Sequence, residues 1–196
     1  MVVCVIQEEF AMRVIAGTAR RLQLETPAGL STRPTSDMIK ETLFNILQPQ
    51  VADAVFLDLF AGSGGIGIEA LSRGAKYCCF ADSSSEAIRC IKNNLNHTKL
   101  ADQATVYASD FTAALMRMRN EGRKFDIVFL DPPYGKELEL TALRLLSEYK
   151  LLKEDATVIV EVSSKTDIDE INGLGYRVDR VKEYKTNCHW FLSEGV

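Results

Sequence analysis

The spacing of apolar positions changes character along this chain. From residue 54 onward, short unbroken apolar runs alternate with stretches in which apolar residues recur every three or four positions. The runs fall at 54–60, 77–81, 104–107, 125–130 and 156–162, with periodic stretches at 65–73, 86–97, 112–120 and 138–149. A run without polar alternation suits a strand buried on both faces, and a period near 3.6 suits a helix that covers it. The pattern predicts β-α-β-α order and a parallel sheet. At the end the rhythm breaks. Residues 176–183 and 188–192 are separated by Tyr184-Lys185-Thr186-Asn187, too few for a crossover helix, so these last two strands are expected to pair antiparallel.

Before residue 54 the pattern differs. Residues 12–25 hold two strand-like runs joined at Gly17 and Thr18, a hairpin signature, and 26–35 is a loop rich in Pro, Gly, Ser and Thr. Thr35 or Ser36 is placed to cap a helix in which Ile39, Leu43, Ile46 and Leu47 share a face, with Pro49 expected to stop it. Three segments are expected: a prefix of unclear role at 1–11, with Met12 as an alternative start, a hairpin and helix at 12–50, and an α/β domain at 51–196.

Composition narrows the classes. A chain of 196 residues, 46% hydrophobic, can bury roughly 70% of its unfolded surface without staples. No apolar run approaches a membrane span and the first residues lack a basic signal segment, so a cytoplasmic protein is expected. The five cysteines contain no C-x-x-C pair and only His97 and His189 are present, so neither a disulfide framework nor a metal site is expected. The net charge of −4 argues against a nonspecific nucleic-acid coat. It is unevenly spread, however, because between 13 and 40 five cations, Arg13, Arg20, Arg21, Arg33 and Lys40, meet only Glu25 and Asp37. These five are candidate phosphate contacts.

Ligands of open α/β sheets bind beyond the carboxyl ends of the strands. The first such end reads Asp58-Leu59-Phe60-Ala61-Gly62-Ser63-Gly64-Gly65-Ile66-Gly67, a glycine loop that opens a helix. Glycines let backbone approach a ligand, and free N–H groups at the helix start favour an anionic group. Asp82 closes the second strand, where a carboxylate can accept both ribose hydroxyls, so a nucleoside ligand is expected. Asp58 would repel a pyrophosphate but can pair with the ammonium of S-adenosylmethionine, which argues against the alternative of a nicotinamide oxidoreductase. Asp110 can accept an adenine amine and Phe111 can wall its ring.

The fourth strand ends in Asp131-Pro132-Pro133-Tyr134. A nucleobase amine is a poor nucleophile because its lone pair is delocalised. Asp131 and the Pro132 carbonyl can each accept one N–H, and two prolines fix φ and remove competing donors. Tyr134 offers a stacking face worth roughly 1–3 kcal/mol. Such a turn orients the amine without naming the base, so adenine N6 and guanine amines both stay open.

Asp58-x-Phe60-x-Gly62-x-Gly64 together with Asp131-Pro132-Pro133-Tyr134 resembles class I S-adenosylmethionine-dependent methyltransferases of exocyclic amines. The segment at 12–17, Arg20-Arg21, Arg33-Pro34-Thr35, Asp37-x-x-Lys40-Glu41-Thr42-Leu43-Phe44-Asn45 and Gly67-x-Glu69-Ala70-Leu71 are similar to the RsmD family of bacterial small-subunit ribosomal RNA methyltransferases. The likeness runs from residue 12 to about 193. It implies a Rossmann-like α/β fold: a mostly parallel seven-stranded sheet with an antiparallel last strand, plus a small hairpin and helix. It further implies methyl transfer to N2 of guanine 966 in a 16S rRNA loop, with 16S rRNA or the 30S particle as partner. Arg33 and Thr35 would then cover the methionine end of the cofactor, and a monomer without metal is expected.

Overall fold

The computed structural model describes residues 12–27, 37–171 and 173–195. In chain order its elements are α1 (Asp37–Val51), β1 (Val55–Leu59), α2 (Gly65–Ser72), β2 (Tyr77–Asp82), α3 (Ser85–Thr98), β3 (Ala104–Ala108), α4 (Phe111–Asn120), β4 (Phe125–Leu130), α5 (Leu138–Glu148), β5 (Leu152–Ser163), β6 (Tyr176–Glu183) and β7 (Asn187–Glu194), with 3-10 turns at Ala101–Gln103 and Ile168–Ile171. The strands form a sheet of order β3-β2-β1-β4-β5-β7-β6. β1 to β5 pair in parallel, and β7 runs antiparallel between β5 and β6. This is the architecture that the apolar pattern and the resemblance led one to expect.

Successive residues of a strand point to opposite faces, which explains the unbroken apolar runs. On β1, Phe56 joins a core with Phe44 and Leu47 of α1, Ile68 and Leu71 of α2 and Ile91 of α3. Its neighbours Leu57 and Leu59 join a second core with Leu115 and Met118 of α4 and Leu143 and Leu146 of α5. Five parallel strands are thus covered on both sides.

The amino-terminal segment shares the first core through Val14, Ala19 and Leu24. Its hairpin is brief, with one antiparallel bridge between Arg13 and Gln23 and the pairs Val14 N–H to Leu22 O and Leu24 N–H to Met12 O. Gly17 turns at φ 84°, and a Cβ there would stand 1.7 Å from the Ser72 carbonyl oxygen, so only glycine lets the turn rest on α2. Glu69 of α2, fully buried, accepts the N–H groups of Ile15 and Ala16 at 2.8 and 3.0 Å and the Arg73 guanidinium at 2.7 Å.

The structure departs from two expectations. Lys40, expected at an RNA surface, is 1% exposed, with Nζ 3.6 Å from Glu69 and bonded to the Arg13 carbonyl. Burial lowers the pKa of its ammonium and Glu69 partly restores it. It braces the hairpin and cannot reach a phosphate. Secondly, Pro49 does not end α1, which continues to Val51. So close to the helix end a proline removes only the bond to the Asn45 carbonyl, and Val51, 2% exposed, packs the extra turn into the core. The caps proposed at Thr35 and Ser36, with Arg33, lie outside the described residues.

Candidate active site

The order of connection reverses between β1 and β4, and a crevice opens beyond the carboxyl ends of such neighbours. The glycine loop leaves β1 and the Asp131-Pro132-Pro133-Tyr134 turn leaves β4. The two motifs, 73 positions apart from Asp58 to Asp131, are thereby brought side by side.

The loop is held by carboxylates below it. Asp82 accepts the Gly62 N–H at 2.8 Å and, through its other oxygen, the Ser84 N–H at 2.8 Å. Asp58 is 2% exposed and accepts the Gly67 N–H at 2.9 Å, so its first partner is the start of α2. Burial pushes its pKa up to about 7, against the pull of that hydrogen bond and with help from Asp82. Asn94 of α3, 2% exposed, donates to the Ser63 and Glu25 carbonyls and accepts the Glu25 N–H, which ties the hairpin to the loop. Met12 caps the loop, its sulfur 3.2 Å from the Ser63 hydroxyl.

Backbone conformation marks the same place. Phe60, a residue with a Cβ, is held at φ 68°, a strain of about 1–3 kcal/mol that a packed surrounding must sustain. Gly62, at φ 54°, would direct a Cβ into open space, whereas Gly67 would drive one to 2.3 Å from the Phe80 ring. The first glycine therefore leaves room above the loop and the last lets α2 pack onto the sheet. Phe60 and Phe111 stand 5.1 Å apart between ring centres and form an apolar wall beside the loop, while Ala61 fastens it to β2 by bonding the Ala81 carbonyl. Asp110 caps α4, one oxygen accepting Thr112 N–H, Thr112 Oγ1 and Ala113 N–H. These bonds, that of the Thr112 hydroxyl first, lower its pKa. All three use the same oxygen.

Across the crevice, Asp131 is desolvated and stands near Glu161 and Asp58, which together hold its pKa well above the usual carboxylate range. Pro132 is buried, Pro133 is exposed and Tyr134 presents a half-exposed ring, with its hydroxyl donating to Glu161 at 3.2 Å. A carboxylate with high proton affinity beside an aromatic face suits a weakly basic amine.

The sequence profile of the family described as Conserved hypothetical protein 95 matches residues 12–192. The chain is 42% identical over 162 residues to YlbH of Bacillus subtilis, covering 83% of this chain and 88% of that protein. It is 37% identical over 150 residues to Ribosomal RNA small subunit methyltransferase D of Haemophilus influenzae, covering 76% and 78%. The chain is a member of the RsmD family. Among solved structures, yhhF of Escherichia coli superposes with a TM-score of 0.81 at 32% identity, covering 93% of this chain and 97% of that one.

In this RsmD-family chain, Arg13, Arg20 and Arg21 are exposed on the hairpin, and Arg13 is paired with Asp37 at 2.7 Å. Three residues of the site escaped the sequence reading. Glu161 and His189 form a buried pair at 3.0 Å behind Tyr134, and Asn94 clamps the loop. The available signal for the pair was an acidic residue inside the apolar run of β5. Asn94 had no such signal, since its partners lie 31 and 69 positions away. Among the described residues no group of three metal-ligating side chains occurs, and no helix is long and apolar enough to cross a membrane.

Proposed function

We propose that this protein transfers a methyl group from S-adenosylmethionine to the exocyclic N2 of a guanine in a 16S rRNA loop, position 966 by its family resemblance. The observation that carries the reading is the glycine loop and the Asp131-Pro132-Pro133-Tyr134 turn facing each other at the ends of adjacent parallel strands. Membership of a family that includes a named ribosomal RNA small subunit methyltransferase supports the RNA substrate.

The loop fits the cofactor. Open space above Gly62 admits a close ligand, Asp82 can accept ribose hydroxyls through remaining lone pairs, Asp110 keeps an oxygen for the adenine amine, and the Phe60–Phe111 wall suits the ring. Asp58, beneath the loop, is assigned to the methionine ammonium, and Arg33 and Thr35 are assigned to cover that end. When bound, S-adenosylmethionine supplies an electrophilic methyl group on a sulfonium. Tyr134 stacks the flipped guanine, which must come from a loop because bases in A-form duplex are closed to side chains. Asp131 and the Pro132 carbonyl accept the two N–H groups and aim the nitrogen lone pair. The lone pair aimed by Asp131 and Pro132 would form the new N–C bond as the methyl group left sulfur, with the sulfonium sulfur as the leaving group. Asp131, with its raised proton affinity, takes the proton that the nitrogen sheds. Alignment contributes most of the acceleration.

The test is to incubate the protein with labelled S-adenosylmethionine and 30S particles or 16S rRNA from a strain lacking this methylation, and then to map the modified nucleotide. Label on N2 of a single loop guanine is expected. Label confined to adenine, or to DNA, refutes the reading. Asp131→Ala is expected to abolish transfer while cofactor affinity stays within a few-fold, whereas Asp82→Ala weakens cofactor binding.

A further inference from the structure

Glu161 is 8% exposed in a strand that is otherwise apolar at its centre, a costly place for a carboxylate unless donors surround it. It has three. Asn187 Nδ2 donates to Oε1 at 2.7 Å, His189 Nε2 lies 3.0 Å from Oε2, and the Tyr134 hydroxyl donates to Oε1 at 3.2 Å. His189, fully buried, is the register partner of Glu161 across β5 and β7. Its ring is boxed edge-on by Phe129, Tyr184 and Phe191, and its Nδ1 lies 3.5 Å from the Tyr184 hydroxyl. With Nε2 donating to Glu161 Oε2, Nδ1 of His189 is left to accept from the Tyr184 hydroxyl.

The two donors of β7, Asn187 and His189, thus hold one carboxylate oxygen each, and the third bond comes from Tyr134 of the turn after β4. Tyr134 is the outer end of this chain of contacts, with 53% of its surface exposed. The cavity that Tyr134 lines together with Glu139, Glu161, Ser163 and Thr166 measures about 30 Å³. That holds a water or two and no nucleobase. The exposed part of the ring is where a base has room to stack, while its hydroxyl is held from the other end. Glu161 is the group that holds it.

We propose that Glu161, itself fixed by Asn187 and His189, is a positioning residue for methyl transfer that locks the Tyr134 ring through its hydroxyl in the pose that receives the flipped base. The proposal rests on the reading of Tyr134 as the stacking platform. A free phenyl ring at the same place would stack too, but would spend much of its time in other rotamers. The cost then falls on the chemical step, because RNA affinity comes mostly from phosphate contacts elsewhere.

The experiment compares the wild type with Tyr134→Phe, Glu161→Gln and the double variant. Each is assayed for methyl transfer to a 16S rRNA loop hairpin and for fluorescence of the same hairpin carrying 2-aminopurine at the target position. Stacking on the ring quenches that fluorescence. Each single variant is expected to lose about fivefold in kcat with KM for RNA within twofold, the size of one ordinary hydrogen bond, and to lose part of the quenching. The double variant is expected to be no worse than the poorer single variant. Unchanged kcat and quenching in Tyr134→Phe overturns the proposal, as do effects that multiply in the double variant. Tyr134 is half-exposed, so its variant decides the matter even if Glu161→Gln does not fold. A wild type that methylates neither this hairpin nor 30S particles from a strain lacking the methylation refutes the proposed function itself; where only the particles are methylated, the same variants are compared on them.

Discussion

Asp58 and Asp131 carry carboxyls on neighbouring strands, and the same physics pushes both pKa values upward while giving them different uses. Asp131 borders the crevice, where burial and the neighbouring Glu161 and Asp58 raise its proton affinity, and in the proposed reaction it would meet the amine there. Asp58 lies beneath the loop, where its charge is a liability to the fold. With a folded pKa of about 7 against 3.8 for an ordinary aspartate, the native state holds a proton that the unfolded chain has released. Its destabilising contribution is therefore absent below about pH 4, grows through the interval up to pH 7 and is complete above it. Asp58→Asn keeps an acceptor for the Gly67 N–H and abolishes this titration. Its melting temperature relative to wild type should rise from pH 5 to pH 8, with each kcal/mol appearing as about 2–4 °C in a chain of this size. A gap that stays constant across that range would mean that Asp58 titrates as an ordinary carboxylate. Glycines and prolines were readable without a structure because their effect is local: a left-handed φ at Gly62 or a fixed φ at Pro132 needs no distant partner. Lys40 was misread for the opposite reason. A lysine on a helix looks like a surface charge until the hairpin folds over it, and only the docking of Glu69 and the Arg13 carbonyl makes its burial tolerable.

At the scale of elements, apolar periodicity was a faithful guide to the sheet and its covering helices, since burial on two faces leaves a continuous imprint on a strand. The ends of elements were less legible. β5 begins at Leu152, ahead of its apolar run, because its backbone already pairs with Phe125 while Lys153, Glu154 and Asp155 point to solvent. The hairpin shows the converse, a sequence that reads as two strands but forms a single bridge, with most of its hold coming from α2. That hold predicts a specific weakness. Gly17→Ala would place a Cβ against the Ser72 carbonyl at a φ that alanine disfavours, at a cost of about 2 kcal/mol or more. Trypsin cleavage at Arg20 and Arg21 should accelerate in this variant while the far-ultraviolet spectrum of the sheet and helices persists. Cleavage at the wild-type rate would show that the apolar contacts of Val14, Ala19 and Leu24 suffice to hold the hairpin.

Over the whole molecule, an acidic chain with a net charge of −4 can still hold an RNA if its cations are gathered beside the crevice. The described cations of the hairpin are not equivalent. Arg20 and Arg21 are exposed and have no ion pair among the described residues, whereas Arg13 is engaged by Asp37 and Lys40 is buried. Alanine at Arg20 or at Arg21 should each reduce the slope of log affinity against log salt by about 1 in an RNA titration, and alanine at Arg13 by less. Equal slopes for all three variants would place the phosphate contacts elsewhere. The sequence by itself determined the order of strands and helices, the glycine loop, the Asp131-Pro132-Pro133-Tyr134 turn and the clustering of basic residues, because periodicity, backbone restriction and composition act between near neighbours in the chain. The tertiary structure alone decided that Lys40 props the hairpin, that Asp58 answers first to Gly67, and that Glu161 meets His189 behind Tyr134. Those partners stand between 9 and 29 positions apart, and strand register and helix docking, which no spacing encodes, bring them together.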